Sequence, residues 1–410
     1  MSAGGQFGAL GALAAGRRVV VCCGPGGVGK TTVSAAVALR GAALGRRACV
    51  VTVDPARRLA DSLGLEALSN VPTRVEGPWP GQLDALMLDT KGTFDDLVER
   101  YARSSEQVAA IRANRVYQNL AGALSGTQEY MAMEKLYELT ASGDYDVVVV
   151  DTPPSRSALD LLDAPQRLTH FLGNRLFRAL LLPTKAYLRA VSVATRALLR
   201  TISTVAGAEI VQDAVAFFQA FEGMEEGFRA RAAAVHQMLT DPTTAFVVVT
   251  SPRPDAVAEA TYFAERLADR HISPAALVVN RLQPRFDQTS GGPPPVGGAG
   301  ARGVASGVGG AGGAGGAAAG GDLEVLVRNL AELTAIADEQ AVALAGLVAQ
   351  MAPAPVGRVL LQGSDVHDLD ALATVAGQIF GPGDDQPGGP PVDSRPIARE
   401  GPASGRDGIG

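Results

Sequence analysis

The chain has 410 residues and a mass of 42.0 kDa, with 47% hydrophobic residues, a formal net charge of −6 and three cysteines. That length supports one large α/β domain with embellishments or two domains. The charge argues against a dedicated nucleic-acid binder, the cysteine count against a disulfide scaffold, and the lack of any uncharged apolar run of eighteen residues against a membrane span.

In chain order, Met1 to Gly16 lacks a basic region ahead of its apolar residues, so residues 1–16 are expected to be a disordered leader rather than a signal peptide. The apolar run Val19–Cys23 follows and has the character of a buried strand. Next comes Gly24-Pro25-Gly26-Gly27-Val28-Gly29-Lys30-Thr31-Thr32, and then Val33–Arg40 with a helical pattern. Strand, G-x-x-x-x-G-K-[ST] loop and helix in that order make a P-loop. Its glycines let backbone N–H groups converge without a Cβ in the way, and the helix N-terminus adds partial positive charge. Lys30 is expected to reach the β- and γ-phosphates of a nucleotide, and the Thr31 hydroxyl to hold Mg²⁺.

Further runs at Ala48–Val53, Leu83–Leu88, Tyr145–Val150, Ala245–Thr250, Ala276–Asn280 and Arg358–Leu361 read as strands of a parallel sheet separated by helices. The expected fold is α/β, doubly wound and mostly parallel, spanning residues 17–380. Two connections, about 92–143 and 165–240, are too long for simple crossovers and are expected to form a helical insert subdomain. Ligands of such a sheet bind beyond the carboxyl ends of its strands, which singles out three side chains. Asp54 follows the second run and suits either the orientation of an attacking water or, before Pro55, the N-cap of a helix. Asp151 ends Val147–Val150 in a Walker B pattern suited to Mg²⁺. Asn280 ends Ala276–Val279, where an amide suits either a purine edge or a turn.

Composition marks three other segments. Pro165–Ala208 carries seven Lys/Arg and no Asp or Glu; Arg178, Lys185, Arg189, Arg196 and Arg200 recur at helical spacing among leucines and valines. Such a segment suits an apolar or acidic protein client or an anionic membrane surface, or packs on its own domain with a solvated charged face. Ser290–Gly321 holds fifteen glycines in thirty-two residues, too little apolar surface to offset ordering entropy, and residues 290–321 are expected to be a disordered loop. The Gly-, Pro- and Asp-rich residues 381–410 are expected to be a disordered tail. Cys22, Cys23 and Cys49 fall on expected core strands and suit buried apolar positions.

Gly-Gly-Val-Gly-Lys-Thr-Thr, Asp54-Pro55-Ala56-Arg57-Arg58-Leu59, Asp151-Thr152-Pro153-Pro154 and Val279-Asn280-Arg281-Leu282 occur in that order. The combination resembles the ArsA/Get3-type ATPases, a deviant-Walker-A branch of the P-loop proteins, and within them the actinobacterial ArsA-like anion-transporting ATPases. The resemblance implies a cytoplasmic ATPase, free or peripheral to a membrane, that uses ATP and Mg²⁺. It implies a homodimer, or a heterodimer with a paralogous ATPase, whose nucleotide-driven rearrangement handles a protein or membrane client. It makes Lys30 and Asp54 catalytic, Asp54 activating water. It assigns Thr31 and Asp151 to Mg²⁺, and Gly24, Gly26, Gly27, Val28, Gly29, Lys30, Thr31, Thr32 and Asn280 to the nucleotide, Asn280 at the adenine beside the Gln362–Val366 loop. A weakly hydrolysing regulatory subunit and a ParA/MinD-like positioning ATPase are the alternatives.

Four features depart from the family pattern. Pro25 stands where the deviant loop carries a lysine that crosses the dimer interface. Ser155-Arg156-Ser157 replaces Thr-Gly-His. The zinc-binding C-x-x-C is absent, and no cysteine cluster suits arsenite.

Overall fold

The computed structural model describes residues 3–54, 57–115, 117–118, 127–153, 163–164, 213, 216–217, 219–220, 223–286 and 316–381. The Ser155-Arg156-Ser157 sequence, the segment Pro165–Ala208, residues 290–315 of the glycine-rich stretch and residues 382–410 of the tail lie outside the described residues.

The elements are α1 (Ala3–Gly16), β1 (Val19–Cys23), α2 (Lys30–Ala43), β2 (Arg47–Thr52), α3 (Arg58–Ser62), β3 (Thr73–Val75), β4 (Gln82–Met87), α4 (Thr90–Tyr101), α5 (Ser105–Ala113) and α6 (Thr127–Ser142). They continue with β5 (Val147–Asp151), α7 (Glu225–Thr240), β6 (Thr244–Thr250), α8 (Pro254–Asp269), β7 (Ala276–Leu282), α9 (Gly316–Met351), β8 (Val356–Leu360) and α10 (Leu369–Phe380). Several helix starts are written locally. Asp89, Ser104 and Asp368 accept from the N–H groups of Lys91, Gln107 and Ala371 at the heads of α4, α5 and α10, and Pro254 opens α8.

The strands form one sheet in the order β3-β4-β2-β5-β1-β6-β7-β8. All pairings are parallel except β3 with β4. The seven runs expected from the sequence are all strands, each within two residues of its expected start. The eighth, β3, is a three-residue antiparallel edge with one buried residue, Val75, too short to leave an apolar run.

Period-two alternation sends each strand's residues to two cores. Val20 and Cys22, Ala48 and Val50, and Val147 and Val149 pack on one face with α1, α2 and α10. Val19, Val21 and Cys23, Cys49 and Val51, and Val148 and Val150 pack on the other with α6, α7, α8 and α9. Burial pushes the Cys22 thiol up to about 12 and raises Cys23 and Cys49 too, so the cysteines serve as apolar filling. A third cluster joins α4, α5, α6 and α7 beside the sheet, through Phe94, Tyr101, Tyr117 and Phe228. There the Arg231 guanidinium donates to Glu134 at 2.7 Å and lies 4.0 Å from the Tyr137 ring centroid, tying α7 to α6.

Two expectations are corrected. Residues 3–16 form a helix, not a disordered leader, because Leu10, Leu13 and Ala14 are buried in the first core. Arg46 also donates to the carbonyl oxygens of Ala14 and Arg17 and holds the helix end to the sheet. The glycine-rich stretch gives way to helix at Gly316, before its expected end at Gly321. Ala337, Leu344, Leu347 and Met351, further along α9, are buried and anchor that helix to the domain. No helix among the described residues is long and apolar enough to cross a membrane.

Candidate nucleotide site

Strand β1 is flanked by β5 and β6, where the order of connections reverses, so the loop after it opens into the crevice that such sheets provide. Gly24 leaves the strand at φ +147°, and a Cβ there would lie 2.0 Å from the Val249 carbonyl oxygen of β6. Only glycine permits that approach. Gly27 and Gly29 also have positive φ, at +74° and +92°. The loop thus curls against the sheet and ends at the N-terminus of α2, whose first N–H groups have no acceptor within the helix.

Lys30, the first residue of α2, is buried and folds back so that its Nζ donates to the Pro25 carbonyl oxygen at 2.8 Å. Burial lowers its pKa, partly offset by the nearby Asp151 carboxylate. The ammonium is held inside the loop it closes. Pro25 is buried with its carbonyl committed to Lys30, so this position presents no cation.

Asp151 ends β5 and is 1% exposed. Its Oδ2 accepts from Thr31 Oγ1 at 2.7 Å and from Thr52 Oγ1 at 3.0 Å. Its Oδ1 has no hydrogen-bond partner among the described residues. Burial pushes the carboxyl up to about 6, against the two hydroxyl bonds and Lys30, which lower it. An orphaned, buried carboxylate oxygen beside a threonine hydroxyl at the phosphate loop fits Mg²⁺. The described residues hold no group of three His, Cys, Asp or Glu suited to a metal.

The Asp54 N–H donates to Thr52 Oγ1 at 3.2 Å, and its carboxylate pairs with Arg58 at 3.6 Å. The N-cap of α3 is Arg57. Thr31, Asp151, Thr52 and Asp54 therefore form one linked series from the phosphate loop to the turn after β2. Thr52 was not singled out from the sequence; its signal is a hydroxyl closing an otherwise apolar buried strand. Thr152, which follows β5, donates from Oγ1 to the Cys22 carbonyl oxygen at 2.9 Å and pins the chain after β5 to β1.

Asn280, at the end of β7, packs against the loop. Its Nδ2 donates to the Val28 carbonyl oxygen at 2.9 Å, and its Oδ1 accepts from the Arg281 N–H at 2.8 Å. Gln362, in the loop after β8, is half-buried and donates from Nε2 to the Leu360 carbonyl oxygen. Gly26 and Gly27 are exposed at the loop's tip, and Thr32 lies in the first turn of α2.

The family model for anion-transporting ATPases matches residues 17–291. An uncharacterised protein of Streptomyces coelicolor is 32% identical over 271 residues, covering 65% of this chain and 63% of that protein. The ATPase ASNA1 homolog of Cryptosporidium parvum is 29% identical over 269 residues, 65% of this chain and 66% of its own. The ATPase get3 of Aspergillus terreus is 30% identical over 151 residues, 37% of this chain and 44% of its own. In each case the match spans less than two thirds of the relative's length.

Proposed function

The chain belongs to the anion-transporting ATPase family, and from that membership we propose that it binds Mg·ATP in the loop from Gly24 to Thr32 and hydrolyses it. The observation that carries the reading is the series Thr31–Asp151–Thr52–Asp54, which joins the phosphate loop to a carboxylate on the neighbouring strand end.

In this reading the loop N–H groups and the head of α2 cradle the phosphates, and Lys30 exchanges the Pro25 carbonyl for phosphate oxygens. Thr31 would hold Mg²⁺, with Asp151 behind it fixing the hydroxyl. The ion, when bound, would offset the charge of the phosphates. Asp54 orients the attacking water and takes its proton as the bond between the γ-phosphorus and the ADP oxygen breaks. Asp54 must leave Arg58 to do so, which frees that guanidinium for the γ-phosphate. The wider function is a dimer whose nucleotide state acts on a protein or membrane client through Pro165–Ala208; its support is the acid-free, basic composition of that segment.

A second reading, a weakly hydrolysing regulatory subunit of a heterodimer, is favoured by Pro25 alone. The test is calorimetry with Mg·ATP and Mg·ADP, followed by single-turnover hydrolysis. Wild type binds both; Lys30→Ala binds neither; Asp54→Asn binds ATP but turns it over at least about 100-fold more slowly. No heat with either nucleotide refutes the proposal. Binding with negligible wild-type turnover favours the regulatory reading.

A further inference from the structure

We propose that Asn280 is a positioning residue that aims the Gly29 N–H into the phosphate cradle. The inference rests on the nucleotide reading above and adds a specific role for the end of β7.

Asn280 is 9% exposed and Val28 is 1% exposed, so their hydrogen bond is shielded from water. The orientation of the amide is fixed by its other end. Oδ1 faces the Arg281 N–H, a donor, so Nδ2 must face the Val28 carbonyl; the flipped amide would set donor against donor and acceptor against acceptor. Arg281 can turn its N–H onto that side chain because it sits at φ +61°, at the irregularity in the pairing of β7 with β8. A non-glycine residue in the left-handed region is uncommon and costs energy, so the surrounding structure enforces it.

The peptide between Val28 and Gly29 is planar and trans, so its C=O and N–H point in opposite directions. With the carbonyl tied to Asn280 on the sheet side, the Gly29 N–H is directed away from the sheet, at the head of α2. Rotation of that peptide would replace a donor to phosphate with a carbonyl oxygen. Gly29 and Asn280 also fit as a pair: a Cβ at position 29 would lie 2.2 Å from Nδ2. The amide reaches the loop because that side chain is missing.

A residue that touches only the base acts only on ligands that carry one. A residue that aims a cradle N–H acts on every polyphosphate. Asn280→Asp keeps the acceptor for Arg281 and replaces the donor to Val28 with an oxygen that repels it. Calorimetry with ATP, ADP and inorganic tripolyphosphate, each with Mg²⁺, is paired with the amide spectrum of ¹⁵N-glycine-labelled protein. The variant is expected to bind all three ligands about tenfold to a hundredfold more weakly. The ligand-induced shift of the Gly29 amide is lost while those of Gly26 and Gly27 persist, which a general loss of structure would not produce. Asn280→Ala, which removes the clamp without adding repulsion, gives a smaller loss of the same uniform kind. A loss confined to ATP and ADP, or a Gly29 amide that shifts in Asn280→Asp as in wild type, overturns the assignment. Wild-type protein that binds none of the ligands refutes the nucleotide reading itself, and this role with it.

Discussion

Replacing Asp151 by Asn is expected to stabilise the ligand-free protein above pH 6 and to destroy the stabilisation that Mg·nucleotide provides. The carboxyl is 1% exposed, and burial raises it from an ordinary 3.8 to about 6. The native state therefore holds this proton more tightly than the unfolded chain does. The cost of ionising it is absent below pH 3.8, grows between 3.8 and about 6, and is complete above that, so native stability falls as pH rises through this window. A rise of roughly two pH units corresponds to about 3 kcal/mol. Asparagine has nearly the same shape, still accepts from Thr31 and Thr52 through its oxygen, and does not ionise. The assay is urea unfolding of both proteins from pH 4.5 to 8. Carboxylates shared by both cancel in the difference, so the variant gains on wild type by about 2 kcal/mol between pH 4.5 and 8. Saturating Mg·ATP reverses the order, because a bound cation favours the ionised carboxylate that only wild type has. A difference that stays flat with pH, or equal stabilisation of both proteins by Mg·ATP, refutes the view of Asp151 as a buried carboxylate awaiting a cation.

Two further outcomes test the frame around the site. Gly24→Ala drives a Cβ to 2.0 Å from the Val249 oxygen at a φ that alanine rarely adopts; a loss of about 3 kcal/mol or more in urea unfolding is expected, with loss of nucleotide binding. Leu10→Ala is expected to cost about 2–5 kcal/mol, as for any fully buried leucine; a change near zero would return residues 3–16 to the disordered leader that composition suggests.

The central strands were legible because each is a β-branched or apolar run buried on both faces, a pattern that survives without knowledge of neighbours, whereas the edge strand β8 leaves Arg358 and Leu360 exposed. The leader was not, because Leu10 and Leu13 among alanines and glycines carry a weak pattern, and their burial comes from surfaces formed by α2, β8 and α10 hundreds of residues away in the case of the last two. Strand β3 is too short to announce itself.

Within the site, the order of Gly24, Lys30 and Thr31 is local, a strand, a glycine loop and a helix in succession, whereas the bond that joins Thr31 to Asp151 spans 120 residues. The sequence by itself determined the glycine loop after β1 with its lysine and hydroxyl at the head of α2, and the sheet on which they sit. Tertiary structure alone decided what Thr52 and Asn280 do, because their partners, Asp151 and Val28, are 99 and 252 residues distant. A hydrogen bond's value depends on where burial places its two ends, and no linear spacing carries that information.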